Sequence, residues 1–203
     1  MENNPKIQKE RGTLKIQIHI AGTKRSGKTT LARKIWTELE RRNHHAVIFD
    51  IDDVRRTLFG EADKVAKIGS PENQRMHREA HEWIFSVGIP NAFRDGKIPI
   101  IVATHSRRAL YERAVQTASI HGVELKFLLL ETPKWDEVVK RACGDEHSLS
   151  DTNDLEKDAQ KEAYLASTNQ FNESYQNREG NHLWVAQMPS EEMATVAMRY
   201  ILG

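Results

Sequence analysis

Gly22-Thr23-Lys24-Arg25-Ser26-Gly27-Lys28-Thr29 decides the fold. The stretch matches G-x-x-x-x-G-K-[ST], and both flanks suit it. Before it, Leu14, Ile16, Ile18 and Ile20 alternate with polar residues, the period of a strand. After it, Thr29–Arg41 carries a helical apolar pattern. A loop of this kind turns backbone N–H groups inward on phosphate oxygens. The following helix adds partial positive charge at its N-terminus. Lys28 is placed to reach the outer phosphates, and the Thr29 hydroxyl to ligate Mg²⁺. The expected nucleotide-binding set is Gly22, Thr23, Lys24, Arg25, Ser26, Gly27, Lys28, Thr29 and Thr30. Arg25 reads either as an internal positive finger over the γ-phosphate or as a solvent-facing charge.

Working outward, four more runs read as strands: Ala46–Phe49, Ile98–Ala103, Leu125–Leu130 and His182–Ala186. Helical patterns separate them at Pro71–Arg94, Arg107–His121, Pro133–Cys143, Leu155–Thr168 and Ser190–Leu202. Strand–helix alternation predicts an α/β fold: a five-stranded, mainly parallel sheet with helices on both faces. Lys15, Gln17 and His19 put polar groups on a strand that should be buried on both sides, which predicts an incompletely covered sheet face. Ser70 and Pro71 mark a helix start. Gly88 and Pro90 inside that helical pattern predict a kink or break near Ser86–Pro90. Residues 1–13 read as a flexible tail before one domain, 14–203. Gly144–Asp158 is polar, acidic and too long for an ordinary connection, and its position after a strand–helix pair predicts a mobile lid.

The 203 residues are 38% hydrophobic and 29% charged, enough apolar content to fill a core. Lys+Arg number 30 against 29 Asp+Glu, a net charge of +1, which argues against long nucleic acid as a partner. Cys143 is the one cysteine, which fits a reducing, cytoplasmic compartment. The apolar runs Ile98–Ala103 and Phe127–Leu130 are far too short to span a bilayer, so no membrane role is expected.

The second strand runs into Asp50-Ile51-Asp52-Asp53-Val54-Arg55-Arg56. Ligands of open α/β sheets sit beyond the carboxyl ends of strands. A carboxylate there can accept the proton of an attacking hydroxyl or hold Mg²⁺ through water, and an arginine can grip an anion with two parallel bonds. The other reading is an Asp-rich helix start. Asp50 and Asp52, two apart, would share one face of an extended strand, and Asp53 would point elsewhere.

Gly22–Thr29 together with this cluster resembles P-loop kinases around adenylylsulfate kinase, whose second strand ends in Asp-Gly-Asp-Asn-Val-Arg. Asp50, Asp52 and Arg55 match; Ile51 and Asp53 depart. The segment Asp52-Asp53-Val54-Arg55 also resembles Asp-Asp-x-Arg in the kinase domain of phage polynucleotide kinase. Ile100-Ile101-Val102-Ala103-Thr104-His105 with Arg107 and Arg108, Glu131-Thr132-Pro133, and Val138-Val139-Lys140-Arg141 extend that likeness over Leu14–Arg141. Thymidylate kinases place an arginine where Arg25 stands. The lid stretch Gly-Leu-Tyr-Lys-Lys-Ala-Arg of adenylylsulfate kinases has no counterpart at Gly144–Asp158. As in the kinases that this sequence resembles, Leu14–Ile20 is expected in the middle of the sheet and Ala46–Phe49 outside it. The resemblance implies an ATP- and Mg²⁺-dependent kinase that phosphorylates a hydroxyl of a small, anionic acceptor. It implies Lys28, Asp52, Arg25 and Arg141 as catalytic residues, with Asp52 facing the hydroxyl. Asp50, Asp53, Arg55, Arg75, Arg78 and Thr104 would be acceptor-side residues, and Thr29 and Asp50 metal-side. A polynucleotide or nucleotide kinase is the first alternative, and a non-catalytic nucleotide-binding module the second. Arg75 and Arg78 also read as a solvated helix face, and Arg141 as a cation at a helix C-terminus.

Overall fold

The computed structural model describes residues 14–66, 70–104, 108–142, 154–175 and 182–203. The expected tail at 1–13 and residues 144–153 of the expected lid lie outside them. Residues 154–158 of that stretch belong to a helix.

Five strands form the sheet: β1 (Ile16–Ala21), β2 (Ala46–Asp50), β3 (Ile98–Ala103), β4 (Glu124–Leu130) and β5 (His182–Val185). Their order is β2-β3-β1-β4-β5, and every pairing is parallel. β1 therefore sits in the middle and β2 at an edge, with β3 between them. Helices α1 (Lys28–Arg41) and α9 (Ser190–Leu202) cover one face. There Ile16, Ile18 and Ile20 meet Leu31, Ile35, Leu39, Ala197 and Ile201. On the other face Ile101, Phe127 and Leu129 pack with Ile84, Phe85, Ile89, Ala114, Phe171 and Tyr175. These last residues come from the helical segment 71–94, α6 (Arg108–Ile120) and α8 (Asp154–Tyr175). Between the layers, β-branched and aliphatic residues of the strands are buried on both sides, as a parallel sheet requires.

The polar positions of β1 correct one expectation. Lys15 is exposed, but Gln17 and His19 are fully buried. The sheet face is covered, and the two side chains meet inside it, the Gln17 amide nitrogen bonded while its buried Oε1 has no hydrogen-bond partner among the described residues. Gln17 Nε2 stands 2.7 Å from His19 Nε2 and donates to the Ala114 carbonyl at 3.3 Å. An amide nitrogen can only donate, so the facing imidazole nitrogen accepts and the ring is neutral. The ring stacks against Phe127 at 5.5 Å and Phe85 at 6.1 Å. Burial, with the nearby His81 adding to it, pushes His19 down to about 3.

The long helix behaves differently from a broken one. Ser70 Oγ accepts from the Asn73 N–H at 3.1 Å, and Pro71 opens α4 (Pro71–Trp83) as expected. At Ile84–Gly88 the chain widens into a π turn and continues as α5 (Ile89–Arg94). A π turn takes its bonds one residue further back, which accommodates the missing N–H and the ring of Pro90 without a break. The extra residue also rotates the apolar stripe. Val87, which would continue the Met76–Ala80–Trp83 row in an unbroken α-helix, is 38% exposed, while Ile84, Phe85 and Gly88 are buried. Two further helices that periodicity missed, α2 (Ile51–Phe59) and α3 (Glu61–Val65), follow β2. The remaining helix is α7 (Trp135–Ala142).

Candidate active site

β1 ends at Ala21, and Gly22–Gly27 turns the chain into α1. A Cβ on Gly22 would stand 2.5 Å from Ser26 Oγ and 3.1 Å from Leu130 Cβ, so this position has no room for a side chain. Gly27 caps α1 at φ 93°, in the left-handed region. Arg25 holds φ 61° without being glycine, local strain of about 1 kcal/mol that the loop carries.

Lys28 Nζ donates to the Thr23 carbonyl at 2.7 Å. Burial lowers its pKa to about 8, while Asp50 and Asp52 pull the other way. Thr29 Oγ1 donates to Asp50 Oδ2 at 2.8 Å. The other oxygen, Asp50 Oδ1, accepts from the Asp52 N–H at 3.1 Å and caps α2. Burial pushes the Asp50 carboxyl above its ordinary range, and the two hydrogen bonds oppose that. One carboxylate thus joins the phosphate loop to the helix carrying Asp52. Asp50 ends β2 and Asp52 lies in the first turn of α2, so the two do not share a face of one strand. They converge on Lys28 because the chain turns between them. Asp52 is exposed, and Asp53 is an exposed ion pair with Arg56.

Arg25 and Arg141 clasp each other's main chain. Arg25 Nη1 donates to the Arg141 carbonyl at 3.0 Å, and Arg141 Nη1 to the Arg25 carbonyl at 2.8 Å. Arg141 Nη2 also donates to Gln187 Oε1 at 3.1 Å. Gln187 Nε2 donates to the Glu131 carbonyl at 2.5 Å and lies 3.4 Å from the Ser26 carbonyl. The loop after β5 is therefore tied to β4, to the phosphate loop and to α7. A cleft of about 430 Å³ opens here, lined by Arg25–Leu31, Arg141, Gln187, Met188, Ser190 and Met193. Its lining holds three cations and no carboxylate.

Thr30 lines the cleft and is exposed. Other expected site residues are not part of its lining: Lys24 is exposed, and Thr104 is half-buried just past β3. Arg55 is buried and held inside the chain: its Nη2 pairs with Asp63 on α3, and its Nη1 lies 2.6 Å from His77 Nε2 on α4. Arg75 is taken up by Glu72 and Glu79 on its own helix, and Arg78 is exposed. His105, Arg107 and Cys143 fall outside the described residues. Among the described residues no group of three or more His, Cys, Asp or Glu is placed to hold a metal, and no helix is long and apolar enough to cross a membrane. Thr29 and Asp50 offer two adjacent oxygen donors, the chemistry that Mg²⁺ takes from a protein that supplies few of its ligands. Sequence reasoning missed Gln187, Met188, Ser190, Met193 and Asp63. For the first three the available signal was their place just beyond a strand's carboxyl end.

The sequence profile of the family described as AAA domain matches residues 18–142. No curated protein matches the sequence. Among solved structures, a shikimate kinase from Bacteroides thetaiotaomicron is 14% identical, with a TM-score of 0.61 over 93% of this chain and 99% of that one. The Mycobacterium tuberculosis APS kinase in complex with AMPPNP and APS is 14% identical, at 0.59 over 94% and 99%. A gluconokinase from Sinorhizobium meliloti 1021 is 12% identical, at 0.59 over 94% and 94%. At these identities the likeness establishes the fold, that of P-loop kinases.

Proposed function

The chain belongs to the AAA domain family, and from that premise we propose that it is an ATP-dependent phosphotransferase acting on a hydroxyl of a small, anionic acceptor. The observation that carries this reading is the convergence of two unlike groups on Lys28. On one side lies the carboxylate-free cleft with Arg25 and Arg141; on the other lie Asp50 and Asp52. The first suits a polyphosphate, the second a hydroxyl that must lose a proton.

In this reading Lys28 leaves the Thr23 carbonyl for phosphate oxygens. Arg25 and Arg141 neutralise charge that develops on the transferring group, the kind of stabilisation that phosphoryl transfer chiefly needs. Asp52 takes the hydroxyl proton as the acceptor oxygen bonds to the γ-phosphorus. The bridging oxygen leaves with its electron pair on ADP. Thr29 and Asp50 would hold Mg²⁺, which when bound supplies positive charge to the β- and γ-oxygens. The single cysteine supports a reducing compartment, and we place the protein in the cytoplasm.

The test is MgATP calorimetry followed by γ-labelled ATP with a panel of hydroxyl compounds, anionic and neutral. Binding with label transfer to an acceptor is expected. No binding overturns the reading, and binding without transfer to any compound moves the protein to the non-catalytic module.

A further inference from the structure

Arg55 is buried on α2, one turn past Asp52, and its guanidinium is only partly used. Nη1 faces His77 Nε2 at 2.6 Å, and Nη2 faces one oxygen of Asp63. The buried Nε–H has no hydrogen-bond partner. Nε–H and the neighbouring Nη2–H form one edge of the guanidinium, two parallel donors that match two oxygens of a single oxyanion. Asp63 fills half of that edge. A buried N–H left without an acceptor is costly, so an anion that spans the edge has an advantage over Asp63.

The helix that delivers Asp63 is thinly attached. α3 is five residues long, and none of its described side chains is buried. Val65 is 81% exposed, so its apolar surface adds little to holding α3 down. Gly60 joins α2 to α3 at φ 55° with open space around its α-carbon, where only glycine sits without strain. The ion pair with Arg55 ties α3 to α2.

We propose that Asp63 is a built-in stand-in for the acceptor's oxyanion: an incoming phosphate, sulfate or carboxylate group takes the Nε–Nη2 edge of Arg55, expels Asp63 and releases α3. This rests on the phosphotransferase reading and makes Asp63 the residue that sets which acceptor anions enter. An anion with two well-placed oxygens and more charge than a carboxylate displaces Asp63 best. A ligand with a favoured state can shift the equilibrium only by its differential affinity, so the stand-in raises the threshold for weak anions.

The test uses the full chain with Lys28→Ala, which weakens anion binding at the phosphate loop equally in every variant compared, and calorimetric titration with inorganic phosphate, sulfate and acetate. Adding Asp63→Asn is expected to tighten phosphate binding at least about tenfold, because the competitor is gone. Glu61→Gln, which removes the same charge from the same helix, is expected to change it far less, and Arg55→Gln on top of Asp63→Asn to abolish the gain. Equal phosphate affinity with and without Asp63→Asn, or an equal gain from Glu61→Gln, overturns the proposal. Hydrogen exchange at Glu61–Val65 gives a readout that needs no change at Asp63. Saturating phosphate is expected to speed exchange there, and unchanged or slower exchange overturns the proposal. Neither measurement reads ATP turnover, so an inactive enzyme that still passes them refutes the phosphotransferase reading alone. An active one that fails them refutes the stand-in alone.

Discussion

Lys28 and Arg55 are cations held by different means. Lys28 bonds a carbonyl five residues before it. Arg55 bonds side chains 8 and 22 residues away, on two other helices. Lys28 is thus held within its own loop, whereas Arg55 is held by pairings between α2, α3 and α4. A cation held locally depends less on the rest of the chain than one held by contacts between helices.

Four measurements break or sharpen that contrast. Lys28→Ala takes the central cation from the cradle, and phosphoryl transfer is expected to fall by about 10²–10³ in steady-state rate. Asp52→Asn is expected to keep ATP binding by calorimetry while losing at least about 10²-fold in transfer, the scale of general acid–base help. Asp53→Asn should lose less, since Asp53 pairs with Arg56 away from Lys28. A worse loss at Asp53 would move the base to the neighbouring carboxylate.

The third measurement is pH dependence. Burial brings Lys28 from 10.5 to about 8. Its charge is present below that value and lost above it, so ATP affinity is expected to fall above pH 8, by up to about tenfold per pH unit. Lys28→Ala should show no such fall. Stability runs the other way. Between about 8 and 10.5 the unfolded chain keeps a proton that the folded chain has lost, so this group's contribution to stability rises with pH. The smallest effect belongs to Gln187→Ala. It loses the hydrogen bonds to Arg141 and to the Glu131 carbonyl, worth about 1 kcal/mol each. A rise of a few-fold in KM for ATP is expected, with little change in the acceptor KM.

The cradle was legible because its geometry is encoded within eight residues. Gly22 has no room for a Cβ, Gly27 sits at positive φ, and the loop lies between an alternating strand and a helix. The five strands and their parallel arrangement were legible for a similar reason, since hydrophobic period and strand–helix alternation are local signals. The Asp50–Arg56 cluster was visible as chemistry but not as geometry. Its helix is short and its first turn is carboxylate-rich, so no apolar period announced α2.

By itself the sequence determined the phosphate loop and the α/β class. Each follows from residues within a few positions of one another. The central place of β1 followed only from the resemblance to P-loop kinases, because strand order is a pairing of distant segments. Only the tertiary structure decided that Gln17 and His19 are buried, because α6 covers that face and brings the Ala114 carbonyl to the Gln17 amide. Only it decided that Asp50 bridges Thr29 to α2, that Gln187 fastens Arg141 to the cleft, and that Asp63 occupies Arg55. Those are contacts between distant segments, and a side chain's charge does not say which of several oppositely charged residues packing will bring to it.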